Sequence, residues 1–76
     1  MGVSSEKHAL LAAVGKRIRA LRVAKKWTQT DMAVYLDINR GHLSDIEQGK
    51  REMGLITLQI VARGLKTTMT ELLKGL

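Results

Sequence analysis

Residues 29–48 decide the fold, and they read Gln-Thr-Asp-Met-Ala-Val-Tyr-Leu-Asp-Ile-Asn-Arg-Gly-His-Leu-Ser-Asp-Ile-Glu-Gln. Apolar residues recur at helical spacing on both sides of the turn at residues 37–39, which predicts two short helices. Ala33 supplies the small side chain that a steep crossing needs at the point of closest approach. Asp37 stands where the turn requires a left-handed residue, and Asp tolerates that conformation better than most non-glycine residues.

The rest of the chain also has a helical period, and it shows no strand pattern. The predicted helices cover about Glu6 to Lys26, Thr28 to Leu36, Arg40 to about Gln48, about Leu55 to Leu65, and a short helix capped by Thr68 and Glu71. Thr28 and Asp31 are expected to form a capping box at the second helix, and Asn39 is expected to cap the third. The apolar stripe of the first helix is Leu11, Val14, Ile18 and Leu21, with Leu10 beside it. The inward residues of the next three helices are Met32, Ala33, Leu36, Leu43, Ile46, Leu58, Val61, Ala62 and Leu65. Residues 1–5 are predicted to form a flexible arm before a single domain of residues 6–76. We therefore expect an all-α bundle of five short helices.

Composition excludes several classes of protein. The 76 residues include 13 Lys and Arg, 7 Asp and Glu and no Cys, with a net charge of +6 and a hydrophobic fraction of 45%. No disulfide framework or Cys-based zinc site is possible, and no apolar run is long enough for a membrane span. No signal peptide is evident. We expect a cytoplasmic protein whose small core favours a partner chain, such as a second copy.

The positive charge is unevenly distributed and indicates a polyanionic partner. Residues 1–27 contain seven basic side chains against one acidic, whereas residues 28–48 contain one basic against four acidic. Residues 49–76 again have a surplus, with five basic against two acidic. Nucleic acid is the main candidate for such a partner, although a net charge of +6 also suits a well-solvated surface.

Two short helices joined by a three-residue turn are typical of the helix-turn-helix of DNA-binding proteins. Over about residues 14–73 the chain resembles the Cro and phage-repressor family of bacterial regulators, also called the xenobiotic-response-element family. Four phrases carry the resemblance: Val14-Gly-Lys-Arg-Ile-Arg-Ala-Leu-Arg22, Trp27-Thr-Gln-Thr-Asp-Met-Ala33, Leu43-Ser-Asp-Ile-Glu-Gln-Gly-Lys-Arg51 and Leu65-Lys-Thr-Thr-Met-Thr-Glu-Leu-Leu73. The chain is most similar to the short single-domain members, including the controller proteins of restriction–modification systems. It departs from the family pattern at Asp37, at Lys66 and at Met53-Gly54.

The resemblance implies a lambda-repressor-like fold and a function. Family members place the third helix in the major groove of double-stranded DNA and often form homodimers, so the resemblance implies a homodimer that binds an inverted-repeat operator. The implied function is therefore sequence-specific transcription regulation. The implied DNA-binding residues are Arg17, Thr28, Gln29, Asn39, Arg40, Gly41, His42, Ser44, Asp45, Lys50 and Arg51.

Several of these roles have simpler alternatives. Arg40 is predicted to bind guanine O6 and N7 with two parallel hydrogen bonds, but it could contact phosphate or only solvent. Gln29 could bind phosphate at a helix N-terminus or brace the third helix. Capping alone would explain Thr28. Asp45 could accept from cytosine or orient Arg40 or Arg51, and His42 could be an idle surface residue.

Other residues are predicted to have structural roles. The resemblance implies an internal ion pair between Arg22 and Glu47. Met69, Leu72, Leu73 and Leu76 are predicted to form a dimer interface, with packing against the first helix as the alternative.

Other functions fit the sequence less well. No set of catalytic residues is recognisable, so we expect no enzyme, and we expect no metal, cofactor or small-molecule ligand. The main alternative is an antitoxin or adaptor that uses the same scaffold to bind a protein. RNA binding is weaker, because a single Trp and a single Tyr offer little base stacking.

Overall fold

The computed structural model describes the backbone of residues 3–76 and the side chains of residues 6–76. Within this range it consists of five helices and no strand, so the predicted all-α fold is confirmed. The helices are α1 (Val3–Ala24), α2 (Gln29–Leu36), α3 (Arg40–Glu47), α4 (Leu55–Gly64) and α5 (Met69–Leu73). None of these helices is long and apolar enough to cross a membrane.

The N-terminal boundary differs from the prediction. Helix α1 begins at Val3, so residues 3–5, which we expected in a flexible arm, have a helical backbone, while Met1 and Gly2 lie outside the described residues. Neither Gly nor Pro occurs between Val3 and Val14 to interrupt the helix. The helix ends at Ala24 and not at Lys26, because Lys26 adopts a left-handed conformation with φ 61°.

Side-chain caps mark the N-termini of α2, α3 and α5. The Thr28 hydroxyl accepts from the Asp31 N–H at 3.0 Å and the Asp31 carboxylate accepts from the Thr28 N–H at 2.8 Å, so the predicted capping box is complete. The Asn39 side chain accepts from the His42 N–H at 3.1 Å. At α5 only half of the predicted box is formed in the described structure, from the Glu71 N–H to the Thr68 hydroxyl at 3.0 Å.

The core follows the predicted apolar stripes with two exceptions. Leu10, which we placed beside the α1 stripe, is 43% exposed. Leu72, which we assigned to a dimer interface, is only 1% exposed and packs within the chain. The buried apolar residues are Val14, Ile18, Met32, Ala33, Leu43, Ile46, Leu58, Val61, Ala62, Leu65 and Leu72.

Helix α1 approaches the C-terminal end of α3 closely. A Cβ on Gly15 would lie 2.5 Å from the carbonyl oxygen of Ile46 and 2.6 Å from that of Glu47. After α3, Gly49 turns the chain with φ 72°, and a Cβ there would lie 2.8 Å from the Ala12 Cα. Two glycines thus let the backbones meet and fix the end of α3 against α1.

Candidate nucleic-acid interface

The two sides of α3 differ in exposure. Leu43, Ile46 and Glu47 are buried, whereas Arg40 and Gly41 are exposed at the first turn. His42, Ser44 and Asp45 are half-buried, and the capping residue Asn39 is exposed. The predicted DNA-binding residues of α3 therefore lie away from its buried apolar side, and the most exposed of them, Arg40 and Gly41, lie at its first turn.

A chain of polar contacts connects the interior to this exposed turn. Arg22 and Glu47 form a bidentate ion pair, from Nε to Oε2 at 2.7 Å and from Nη2 to Oε1 at 2.9 Å. Gln29 Nε2 donates to Glu47 Oε1 at 3.2 Å. Arg40 Nη1 donates to Gln29 Oε1 at 3.5 Å, at the long limit of a hydrogen bond. Gln29 therefore braces α3, one of the two roles we considered for it.

The ion pair is fully satisfied in spite of its burial. Arg22 is 8% and Glu47 6% exposed, and Arg22 Nη1 also donates to the Trp27 carbonyl oxygen at 2.7 Å. The hydrogen bond to Glu47 raises the pKa of Arg22 above its usual value, an effect that desolvation partly opposes. Because the carboxylate of Glu47 requires a donor, it directs the amide nitrogen of Gln29 inward and the amide oxygen toward Arg40.

The N-terminus of α2 presents Thr28 and Asp31 to solvent. Hydrogen bonds from the backbone and then the side chain of Thr28 lower the pKa of Asp31 below its usual value. The Thr28 hydroxyl is already engaged with the Asp31 N–H, so capping is a sufficient explanation for this residue.

The loop after α3 presents two exposed cations, Lys50 and Arg51. Arg51 Nη2 lies 3.6 Å from Asp45 Oδ2, which matches the interpretation that Asp45 orients Arg51. Ser44 Oγ accepts from Gln48 Nε2 at 2.9 Å and is thus connected to the same end of α3.

Arg17 is separate from this group of residues. Its Nη1 donates to the carbonyl oxygens of Leu72 at 3.1 Å and Glu71 at 3.3 Å in the last turn of α5, where the Glu71 carbonyl also accepts from the Lys74 N–H at 3.4 Å. The side chain thus joins α1 to α5 and caps the latter. Arg17 is thus engaged within the chain, and its contact with DNA stays a prediction.

Sequence reasoning missed an exposed apolar surface on α4. Leu55 is 77%, Ile56 70% and Ile60 40% exposed, and Leu73 and Leu76 on and after α5 are also exposed, whereas Met69 packs partly against the core. We name Leu55, Ile56, Ile60, Leu73 and Leu76 the C-terminal apolar surface. The run Leu-Ile-Thr-Leu-Gln-Ile-Val at the start of α4 could have revealed it, since apolar residues there occupy more than one face.

Known proteins resemble the chain in sequence and in fold. A family model described as helix-turn-helix matches residues 18–72. The control protein C.MunI of a Mycoplasma species is 36% identical over 59 residues, which cover 76% of this chain and 80% of that protein. The immunity repressor protein of Bacillus phage phi105 is 40% identical over 52 residues, and the match spans 68% of this chain but only 36% of the repressor.

Solved structures agree with this assignment. The restriction–modification controller protein C.AhdI from Aeromonas hydrophila matches with a TM-score of 0.80 and 31% identity, covering 84% of this chain and 97% of the other. The clp gene regulator ClgR from Corynebacterium glutamicum matches with a TM-score of 0.80 and 28% identity, covering 84% and 82%. These relatives are repressors, controllers and regulators, not enzymes. The chain belongs to the helix-turn-helix family of DNA-binding transcription regulators, of the xenobiotic-response-element type.

Proposed function

We propose that the chain is a sequence-specific regulator that binds an inverted-repeat operator as a homodimer, with α3 in the major groove. The observation that carries this proposal is the exposed first turn of α3, where Arg40 is held by Gln29 on a helix whose other side is buried. In such a turn the arginine side chain already has a defined position, from which it can donate hydrogen bonds to the edges of bases. The proposal implies a cytoplasmic, nucleoid-associated protein.

Arg40 reads a base in this proposal, most simply guanine through O6 and N7. Asn39 and Gly41 are exposed beside Arg40, and Ser44 lies about one turn after Arg40 on the same side of α3, where small or polar groups allow close approach to the groove. His42 lies on another side of the helix and is proposed to contact phosphate. Arg40 is exposed and its contact with Gln29 is long, so a base can replace that contact at little cost. The remaining hydrogen bonds, between Gln29 and Glu47 and between Glu47 and Arg22, then keep α3 in its position.

Phosphate contacts are proposed on either side of the groove. Gln29 and Thr28 stand at the N-terminus of α2, where free N–H groups and the helix dipole attract an anion. Lys50 and Arg51 follow the C-terminal end of α3, and Arg51 Nη2 lies 3.6 Å from the Asp45 carboxylate. These contacts position the protein on the duplex but carry no sequence information.

The homodimer is proposed through the C-terminal apolar surface. Its exposed side chains come from α4 and the end of α5, and water contact with so many large apolar groups is unfavourable. A homodimer that reads an inverted repeat must place its two α3 helices about 34 Å apart, one turn of DNA. Leu72 has no part in this interface because the core already buries it.

Selection from a random duplex library at about 150 mM salt tests the proposed function. We expect enrichment of an inverted repeat whose half-sites are one helical turn apart. Enrichment of no motif would contradict sequence-specific binding. It would favour the alternative of a protein-binding antitoxin or adaptor.

Sedimentation tests the dimer separately. The wild-type protein should sediment at about 17 kDa at micromolar concentration, twice the 8.4 kDa mass of the chain. Ile56→Glu should shift it to monomer, because the substitution would bury a charge at the interface. Val34→Glu is the matched control, since Val34 is 76% exposed on α2 and should leave the dimer intact. A wild-type monomer, on and off DNA, would contradict this part of the proposal.

A further inference from the structure

A polar groove lies between the first turns of α1 and the loop that follows α3. It has a volume of about 560 Å³, and its charged lining residues are Lys7, Asp45, Lys50, Arg51 and Glu52, with His8 beside them. We name it the α1–loop groove. Lys50 and Arg51 are the residues for which we propose phosphate contacts, whereas Lys7 has no role in the function described so far.

The periodicity of α1 explains why Lys7 faces this groove. Leu11, Ile18 and Arg22 belong to the side of α1 that packs inward, and Lys7 precedes Leu11 by about one helical turn. Lys7 therefore continues the same side of the helix beyond the end of the core. There it meets the loop, with its Nζ 3.4 Å from Glu52 Oε1.

This arrangement depends on a part of the chain that the family match does not cover. The helix-turn-helix match starts at residue 18, whereas α1 starts at Val3. If α1 began at Glu6, as the sequence predicts, Lys7 would be the second residue of the helix. Because α1 begins at Val3, about one turn of helix precedes Lys7 and gives it a defined position against the loop.

The two ion pairs in the groove are weak enough for their cations to exchange a carboxylate for another anion. The side chains of Lys7 and Glu52 are 50% and 67% exposed, and those of Arg51 and Asp45 are 53% and 41% exposed. Exposed pairs contribute little to stability because water screens them and long side chains lose freedom. Either cation can therefore leave its carboxylate for a phosphate oxygen, which carries a full negative charge in a strongly anionic duplex.

We propose that Lys7 contacts the DNA backbone next to the phosphate bound by Lys50 and Arg51, so that α1 extends the proposed phosphate-binding surface of the loop. Lys7, Lys50 and Arg51 converge on one groove, and they outnumber its two carboxylates. Glu52 limits the strength of this contact, because it competes with phosphate for Lys7. The inference rests on the proposed function, since it requires a bound duplex.

Salt-dependent binding to the selected operator tests the role of Lys7. We expect Lys7→Gln to reduce the slope of log K against log salt by about 0.9 between about 50 and 200 mM, the value for one lost phosphate contact. Lys16→Gln is the matched control, because Lys16 is an exposed lysine of the same helix, about two and a half turns away and so on the opposite side. It should keep the wild-type slope, and Lys7→Arg should keep it too.

Because Glu52 competes with phosphate for Lys7, removing its charge should have the opposite effect to removing that of Lys7. Glu52→Gln should bind the operator several-fold more tightly than wild type, and the gain should vanish in a Lys7→Gln background. Equal slopes for Lys7→Gln and wild type would overturn the inference, and so would equal losses for Lys7→Gln and Lys16→Gln. Either result leaves wild-type binding intact, whereas failure of the wild-type protein to bind any duplex overturns the proposed function itself.

Discussion

The two ends of α3 are built on opposite principles. At the C-terminal end, Glu47 is buried in an ion pair with Arg22, and the backbone meets α1 at Gly15. At the N-terminal end, Arg40 is exposed and has one long contact to Gln29. The comparison indicates that one end fixes the helix in space while the other remains available to a ligand. Damage to the fixed end should therefore unfold the protein, and damage to the exposed end should change only binding.

Removal of the buried carboxylate should have the largest effect on stability. We expect Glu47→Ala to lower the free energy of unfolding by about 3–5 kcal/mol, because Arg22 would stay buried without its partner. Urea denaturation followed by circular dichroism measures the change. Gln48→Ala is the control at an exposed neighbouring position and should stay within about 0.5 kcal/mol of wild type. Similar effects of the two substitutions would argue that the ion pair does not fix α3.

A glycine-to-alanine substitution can be compared at both ends of α3. Gly15 of α1 packs against the C-terminal end of α3, and Gly41 lies in its first turn. Gly15→Ala should destabilise the protein by about 1–3 kcal/mol, since the new Cβ meets two backbone carbonyl oxygens. At Gly41 a Cβ meets only the Asn39 side-chain oxygen at 3.0 Å, and the gain in helix propensity of about 0.5–1 kcal/mol offsets that contact. Thermal melts should show a lower Tm for the first variant only. A lower Tm for Gly41→Ala alone would reverse the assignment of the fixed end.

The turn that joins α2 to α3 should give the smallest effect. Asp37 has φ 55°, a conformation that costs any residue with a Cβ more than it costs glycine. Asp37→Gly should therefore raise the free energy of unfolding by about 1 kcal/mol or less in a urea titration. Asp37→Ala keeps the Cβ and loses the polar side chain, so it should lower stability. A loss of stability in both variants would show that the aspartate side chain matters more than the strain.

Local signals in the sequence were sufficient for most of the fold. Thr28 with Asp31 and Asn39 before Arg40 predicted where α2 and α3 begin, because caps act within a few residues. The stripe from Val14 to Ile18 predicted the buried side of α1 for the same reason. Asp37 predicted the left-handed turn from its own conformational preferences.

Features that depend on distant neighbours could not be predicted this way. Periodicity showed that Leu72 lies on an apolar side of α5, but it could not show that the rest of the chain, and not a second copy, buries it. Arg17 has the charge of a phosphate ligand, yet the carbonyl groups that it caps are 54 and 55 residues away. The exposed face of α4 went unnoticed because the inward stripe already explained the helix.

The central claim is that the exposed end of α3 reads the DNA sequence, while its other end stabilises the fold. The most direct test compares the base preference of the Arg40→Ala variant with that of wild type. The measurement is the affinity of both proteins for the selected operator and for its single-base variants. We predict a loss of about 1–3 kcal/mol of discrimination at one base pair in each half-site, with an unchanged urea midpoint. Uniform weakening on all sequences, or a lower urea midpoint, would contradict the account.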